Sequence, residues 1–271
     1  MNNDILEELS GLRREDAARR EASVSFDEMM RRAKNAPAAR DFKAAFVAGG
    51  DGTKPVPPGP RVIAELKRAS PSEGMIREDF RPVELAKELE AAGAAALSVL
   101  CEPHRFLGSE DYLRAVREAA NIPLLYKDFV TTRYQIAAAR AAGADAVLLI
   151  AAVLDDAALK DLLGFAHDVG LAALVETHDE REIDRAVAAD AGIVGVNCRN
   201  LRNFSTDVSL LESLMGRIPR PCVRIAESGM HTAEAVVRAK TAGADGFLVG
   251  TALMRAERPG AKLRELLTPT P

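Results

Sequence analysis

Apolar residues in this chain gather in short continuous runs separated by longer amphipathic stretches. An alanine-rich amphipathic segment, a Gly-Ala break and a compact apolar run recur in order. They read AAGAAALSVL (Ala91 to Leu100), AAGADAVLLI (Ala141 to Ile150) and TAGADGFLVG (Thr241 to Gly250), with a weaker copy, AADAGIVGV, from Ala188 to Val196. Glycine at the break ends a helix, because it tolerates the left-handed geometry of the cap. The runs that follow are continuous rather than alternating, as in parallel strands covered on both faces. The pattern predicts strands near 61–66, 95–100, 122–126, 145–150, 171–175, 192–196, 222–226 and 245–249. Helices are predicted near 82–92, 108–120, 132–142, 155–169, 179–189, 208–214, 231–242 and 257–267. Strands alternating with helices in this number predict an α/β protein, a (β/α)8 TIM barrel. A doubly wound sheet is the alternative, but it carries fewer strands and a Gly-rich first turn, and no G-x-G-x-x-G follows the first strand.

Residues 1–60 precede the barrel, which takes up 61–271, and carry helical patterns of their own: Ile5 to Arg20, Phe26 to Ala36 and Ala38 to Val47. Asp51 to Pro60 (DGTKPVPPGP) reads as a loop, since proline and glycine do not continue a helix. The N-terminal helical extension is expected to pack on the barrel as part of one structural unit. Capping the barrel's bottom is the plainer role for it, and covering the mouth is the sharper one.

The predicted strands end on polar residues: Glu65 with Lys67, Lys127, Glu176, Asn197 and Glu227, with Gly250-Thr251 closing the last. In a closed parallel barrel such ends line one mouth, where barrel enzymes carry their chemistry. Alternation puts Glu65 and Lys67 on one face. Their pairing is either a buried structural ion pair or, with the rigid Ser70-Pro71-Ser72 turn beside it, a substrate contact. Lys127 is either a desolvated ammonium tuned by nearby carboxylates toward general acid catalysis or a lysine that snorkels to solvent. Phe129 offers an apolar surface on its side. Glu176 reads as a base or proton relay, or as an electrostatic counterweight. Asn197 and Arg199 add a neutral donor and a cation suited to carboxylates. The loops carrying Ser228-Gly229 and Gly250-Thr251 follow the seventh and eighth strands, where barrels often build a phosphate site; each alone is also an ordinary turn.

Composition narrows the picture. Hydrophobic residues make up 48% and aromatics 4%, without tryptophan, so the core must be aliphatic. A net charge of −4 argues against a nucleic-acid or anionic-membrane partner held by the overall field. Cys101, Cys198 and Cys222 are widely spaced, which favours reduced thiols in the cytoplasm. The longest apolar run, Ala146 to Leu154, is too short to span a bilayer, and Met1 to Arg20 lacks the apolar stretch of a signal peptide. The four histidines show no ligand spacing, and lysines interleaved with Glu65, Glu176 and Glu227 would repel Mg²⁺. No metal or other cofactor is expected.

Six blocks in order resemble the indole-3-glycerol-phosphate synthase family: VIAELKRASPSEGMI (Val62 to Ile76), PLLYKDF (Pro123 to Phe129), LVETHDE (Leu174 to Glu180), VGVNCRNL (Val194 to Leu201), AESGM (Ala226 to Met230) and FLVGTALM (Phe247 to Met254). The resemblance runs from about residue 4 to 267. It implies a carboxy-lyase of tryptophan biosynthesis. Such an enzyme closes the ring of 1-(2-carboxyphenylamino)-1-deoxyribulose 5-phosphate, with loss of CO₂ and water, by general acid/base catalysis.

By the same resemblance Lys127 is the general acid and Glu176 the carboxylate of the later steps, while Glu65 joins the charged network. Lys67 contacts substrate carboxylate or phosphate. Ser70, Asn197 and Arg199 orient substrate, and Glu227 lies among the substrate contacts. Phe106, Phe129 and Leu148 wall the anthranilate ring. Ser228, Gly229, Gly250 and Thr251 cradle phosphate. The implied partner is a phosphorylated small molecule, and a monomer is expected, with weak association with other tryptophan-pathway enzymes. Glu73, Cys101, Leu107, Tyr126 and Cys198 depart from the family's usual pattern, and none removes a catalytic group. Two competing readings are a phosphoribosylanthranilate isomerase, which would use a cysteine and an aspartate, and a non-catalytic barrel that binds a phosphorylated metabolite.

Overall fold

The computed structural model describes residues 5–47, 59–199 and 206–268 and contains a closed barrel of parallel strands. The strands are β1 (Val62–Leu66), β2 (Ala96–Leu100), β3 (Leu124–Lys127), β4 (Ala146–Ile150), β5 (Ala172–Thr177), β6 (Ile193–Asn197), β7 (Val223–Glu227) and β8 (Gly246–Val249). Each pairs with its neighbour in sequence, and β8 closes on β1 through Val62–Phe247 and Ala64–Val249. The chain is therefore a (β/α)8 barrel. Between strands run α3 (Pro82–Ala91), α4 (Glu110–Ala119), α5 (Arg133–Ala141), α6 (Asp156–Asp168), α7 (Glu180–Ala188), α8 (Leu210–Leu214) and α9 (Ala233–Thr241). The helices α10 (Thr251–Arg255) and α11 (Pro259–Leu267) follow the last strand.

The repeated Gly-Ala break does what its sequence predicts. Gly93, Gly143 and Gly243 take φ of 102°, 94° and 105° one residue past a helix cap, and in the weaker copy Asp190 takes φ 66° instead. Continuous apolar strands then bury both faces. One side packs under the helices in a large cluster that includes Leu97, Val147, Val175 and Val194; the other fills the barrel with Ile63, Leu125, Leu174, Ile193, Ile225 and Leu248.

Two positions beyond those six inward residues stand Glu65, Lys127, Glu176, Gly195, Glu227 and Gly250. Because side chains alternate along a strand, the parity that fills the barrel with aliphatics also points these residues inward, one layer nearer the C-terminal mouth.

The extension reaches both ends of the barrel. Helices α1 (Ile5–Ser23) and α2 (Phe26–Asn35) form as predicted, with Ser25 capping α2. Met29 and Ala17 pack on Tyr134, Ala137 and Ala138 of α5. The helix expected over Ala38 to Val47 is absent; that segment is irregular except for a 3-10 turn at Lys43–Phe46. Its apolar spacing serves tertiary contacts instead. Phe42 and Phe46 insert into the lower end of the barrel cluster. The Arg40 backbone N–H donates to Asp145 (2.7 Å), and its guanidinium donates to the carbonyls of Ile122 and Ala120 (2.8 Å each). Most of the loop expected at Asp51 to Pro60 lies outside the described residues.

Candidate active site

A single cavity at the C-terminal mouth is lined by all the candidate residues, from Glu65 and Lys67 on β1 to Gly250 and Thr251 beyond β8. At its floor the Lys127 ammonium donates to Glu176 Oε2 (3.0 Å) and lies 3.8 Å from Glu227 Oε2. Asn197 Nδ2 donates to the other Glu176 oxygen (3.1 Å). Beside this group Lys67 pairs with Glu65 at 2.9 Å. Glu65, Glu176 and Glu227 are all buried, so their interactions are little screened by solvent.

Two glycines make the arrangement possible. A Cβ on Gly195 would overlap Glu227 Oε1, and one on Gly250 would overlap Glu65 Oε1 and sit 3.1 Å from Lys67 Nζ.

The charge states follow from competition between burial and neighbours. Burial alone would lower the Lys127 pKa, but the charges of Glu176, Glu227 and Glu65 outweigh it, and the net shift is upward. Burial pushes Glu176 up. Lys127, His178 and the hydrogen bonds from Asn197 and Lys127 more than reverse that, bringing it down to about 2. Glu227 goes the other way: burial, then the charge of Glu176, raise it well above the carboxylate range, and Lys127 offsets this only in part. Lys127 and Glu176 thus stabilise each other's charged forms, while burial and the charge of Glu176 push Glu227 toward its neutral form. The sequence suggests roles for Lys127 and Glu176 but gives no sign that Glu227 shifts in the opposite direction.

The walls are apolar on one side. Phe106 and Phe129 face each other with ring centroids 6.2 Å apart, and Leu148 lies in the same cavity. Phe106 is placed by a residue passed over in the sequence: the buried Glu102 carboxylate accepts the backbone N–H groups of His104, Arg105 and Phe106 at 2.6, 2.7 and 2.8 Å. The Ser70-Pro71-Ser72 turn belongs to a short antiparallel hairpin, Ala69–Ser70 with Gly74–Met75. Arg199 Nη1 donates to Ser72 Oγ (2.7 Å), and Glu73 bridges Arg199 (3.9 Å) and Arg255. Ser228 and Gly229 both take left-handed backbone angles (φ 66° and 78°), which turns the chain sharply at the end of β7. Thr251 opens α10 at the end of β8.

The extension contributes what sequence pattern alone left undecided. Ile5, Leu6 and Leu9 of α1 line the same cavity. Arg13 anchors the helix there, donating to both oxygens of the buried Asp128 (2.7 to 3.1 Å). Asp128 also accepts from Tyr126 Oη (2.9 Å) and the Phe129 N–H (2.8 Å). Of the unusual residues, Tyr126 thus supports the α1 contact. Burial pushes the Cys101 thiol well up and, with Asp207 and Glu227, raises Cys198 to about 12, so neither is a ready nucleophile.

Fold and cavity together define a class: a (β/α)8 barrel with an ionisable cavity at the C-terminal ends of its strands. The model of the family described as indole-3-glycerol phosphate synthase matches residues 6–266. An indole-3-glycerol phosphate synthase of Albidiferax ferrireducens is 42% identical over 266 residues, covering 97% of this chain and 98% of that protein. One of Sulfurimonas denitrificans is 44% identical over 264 residues, with the same coverage of each. Among solved structures, a tryptophan synthase alpha-subunit from Pyrococcus furiosus superposes with a TM-score of 0.58 at 18% identity. It covers 77% of this chain and 98% of that one, a likeness of fold alone. The chain belongs to the indole-3-glycerol phosphate synthase family, carboxy-lyases of tryptophan biosynthesis.

Proposed function

We propose that this chain converts 1-(2-carboxyphenylamino)-1-deoxyribulose 5-phosphate to indole-3-glycerol phosphate, CO₂ and water, with Lys127 as general acid and Glu176 as its partner carboxylate. The observation that carries this reading is the Lys127 ammonium held between Glu176 and Glu227 on the floor of a cavity with an apolar wall. Attack of the ring carbon bearing the carboxylate on the ketone develops an alkoxide, and Lys127 protonates it. The C–CO₂ bond then breaks. In the last stage a hydroxyl leaves as water on taking a proton from Lys67, the second lysine in the cavity, and a C–H proton passes to a base, the role assigned to Glu176. A positioned proton donor contributes about 10² to 10⁴ in rate.

Other residues bind and orient. Phe106, Phe129 and Leu148 wall the aromatic ring and exclude water. Lys67, paired with Glu65 and aimed into the cavity, and Arg199 hold the substrate's anionic groups, with Ser70 and Asn197 fixing its orientation. Ser228, Gly229, Gly250 and Thr251 cradle the phosphate, where unsubstituted backbone lets N–H groups approach its oxygens. The substrate carboxylate leaves as neutral CO₂, so each turnover takes up one proton. The same reading makes the protein a cytoplasmic monomer, with weak association with other enzymes of the pathway. Among the described residues no helix is long and apolar enough to cross a membrane. The direct test is to mix the purified chain with the carboxyphenylamino-deoxyribulose phosphate and follow indole absorbance or fluorescence. Absence of an indole signal at substrate saturation would end this assignment.

A further inference from the structure

We propose that His178 is the inlet through which the buried Lys127–Glu176 cluster regains the proton that each turnover consumes. The inference rests on the proposed activity, whose overall charge balance demands that proton. While a substrate or product fills the cavity above Lys127, a route from another side is needed.

His178 lies on an adjoining cavity that shares Leu6, Asn197 and Arg199 with the first. It follows Glu176 by two positions but lines a second cavity, beside α1 and the ends of β5 and β6, and not the first. Its Nε2 is 3.5 Å from Glu176 Oε1, and its Nδ1 is 3.1 Å from Glu182 Oε2 on α7. The same Glu182 oxygen accepts the His178 backbone N–H (2.8 Å), which fixes the residue in place. Nε2 is buried and makes no hydrogen bond at rest. Side-chain exposure falls from 18% at His178 and 14% at Glu182 to 2% at Glu176, so the imidazole spans the step from accessible to enclosed.

The ring's chemistry suits the task. A neutral imidazole that donates Nδ1–H to Glu182 would turn its Nε2 lone pair toward the Glu176 carboxylate, a repulsive arrangement. An imidazolium satisfies both carboxylates. Burial opposes that form, but Glu182 and Glu176 outweigh both it and Lys127, and the His178 pKa is raised. Glu7 and Arg14 of α1, with Asp179 and Arg199, are the other charged groups on the second cavity.

In the transfer the Nε2–H bond breaks as an O–H bond forms on Glu176 Oε1. A half-turn of the carboxyl group carries that proton to the oxygen beside Lys127, and it passes to the lysine amine across the 3.0 Å contact. The neutral ring then swings toward the second cavity, its bare Nε2 takes a proton from solvent there, and the ring returns. One proton enters and one is delivered. The resting 3.5 Å separation has to shorten during turnover, as catalytic hydrogen bonds commonly do between free and occupied enzyme.

The test compares single and repeated turnover in the full chain carrying His178→Ala or the conservative His178→Gln. With enzyme in excess the first turnover should proceed within about twofold of the unaltered rate, because Lys127 starts protonated. At saturating substrate kcat should fall at least about tenfold with KM little changed, and added imidazole should restore kcat of His178→Ala in proportion to imidazolium. Unchanged kcat in both variants overturns the proposal. So does an equal loss in single and repeated turnover without imidazole rescue, which would assign His178 a merely structural role. If the unaltered chain makes no indole product in the same assay, the activity falls first and this role with it.

Discussion

Replacing Arg13 by methionine should detach α1 from the mouth at a measurable cost in stability. Arg13 gives the Asp128 carboxylate three hydrogen-bonding contacts of 2.7 to 3.1 Å, and the Asp128 side chain has no exposed surface. In Arg13→Met that carboxylate keeps only the Tyr126 hydroxyl and the Phe129 N–H, with no cation beside it. Removing one partner of a buried pair costs about 3 to 5 kcal/mol. For a chain of this size each kcal/mol lowers Tm by about 2 to 4 °C, so a fall near 10 °C is expected.

The double substitution Arg13→Met with Asp128→Leu removes both charges, and Tyr126 Oη retains Glu110 Oε1 at 3.3 Å. It should recover most of the loss, because a buried pair replaced by apolar groups is often neutral or stabilising. Thermal unfolding followed by circular dichroism on the wild type, both single variants and the double variant completes the cycle. A double variant no more stable than Arg13→Met alone would refute the claim that an orphaned carboxylate causes the damage. Since Ile5, Leu6 and Leu9 of the same helix line the cavity, Arg13→Met should also raise KM.

Lys127→Met should lower kcat by at least about 10² with the circular dichroism spectrum unchanged; near-normal indole formation would remove Lys127 from the mechanism. Gly250→Ala places a methyl group against Glu65 Oε1 and 3.1 Å from Lys67 Nζ. Displacing that pair by about 1 Å should cost on the order of 10² in kcat/KM, and unaltered kinetics would argue against its role. Glu176 has a folded pKa of about 2, below its ordinary 4.5. Its contribution to stability is therefore present above the unfolded value and lost as pH falls toward 2. A Tm-against-pH curve should decline over that interval, and in Lys127→Met the decline should begin at higher pH; superimposable curves would contradict the coupling. Gly164→Ala in α6, where an added methyl meets nothing within 4 Å, should stabilise by about 0.5 to 1 kcal/mol, with urea titration as the readout.

The barrel was legible because two periodicities agreed. The Gly-Ala breaks punctuated the helices, and continuous apolar runs could only be strands buried on both faces. The polar strand ends were legible for the same reason: inward parity carries through Ile63 to Glu65 and through Leu125 to Lys127, so one pattern positions both core and site. Local pattern failed where tertiary contacts override it. Ala38 to Val47 has helical spacing, yet Phe42 and Phe46 turn inward as a plug and the segment is held through Arg40. Arg13, Asp128, Glu102 and His178 looked like ordinary charged or loop residues. Arg13 and Asp128 matter through each other, 115 residues apart, whereas Glu102 and His178 act on near neighbours through loop conformations that a helix or strand pattern does not encode. The upward shift of Glu227 could not be read either, because it depends on burial beside another carboxylate rather than on residue type.

Since one continuous stretch of backbone guards the entrance with Ile5, Leu6 and Leu9 and stoppers the far end with Phe42 and Phe46, progressive trimming from its beginning should fail in two stages. Early cuts would leave a folded scaffold with an uncovered doorway. Only cuts reaching the phenylalanines would drain the interior of the side chains that keep its floor dry.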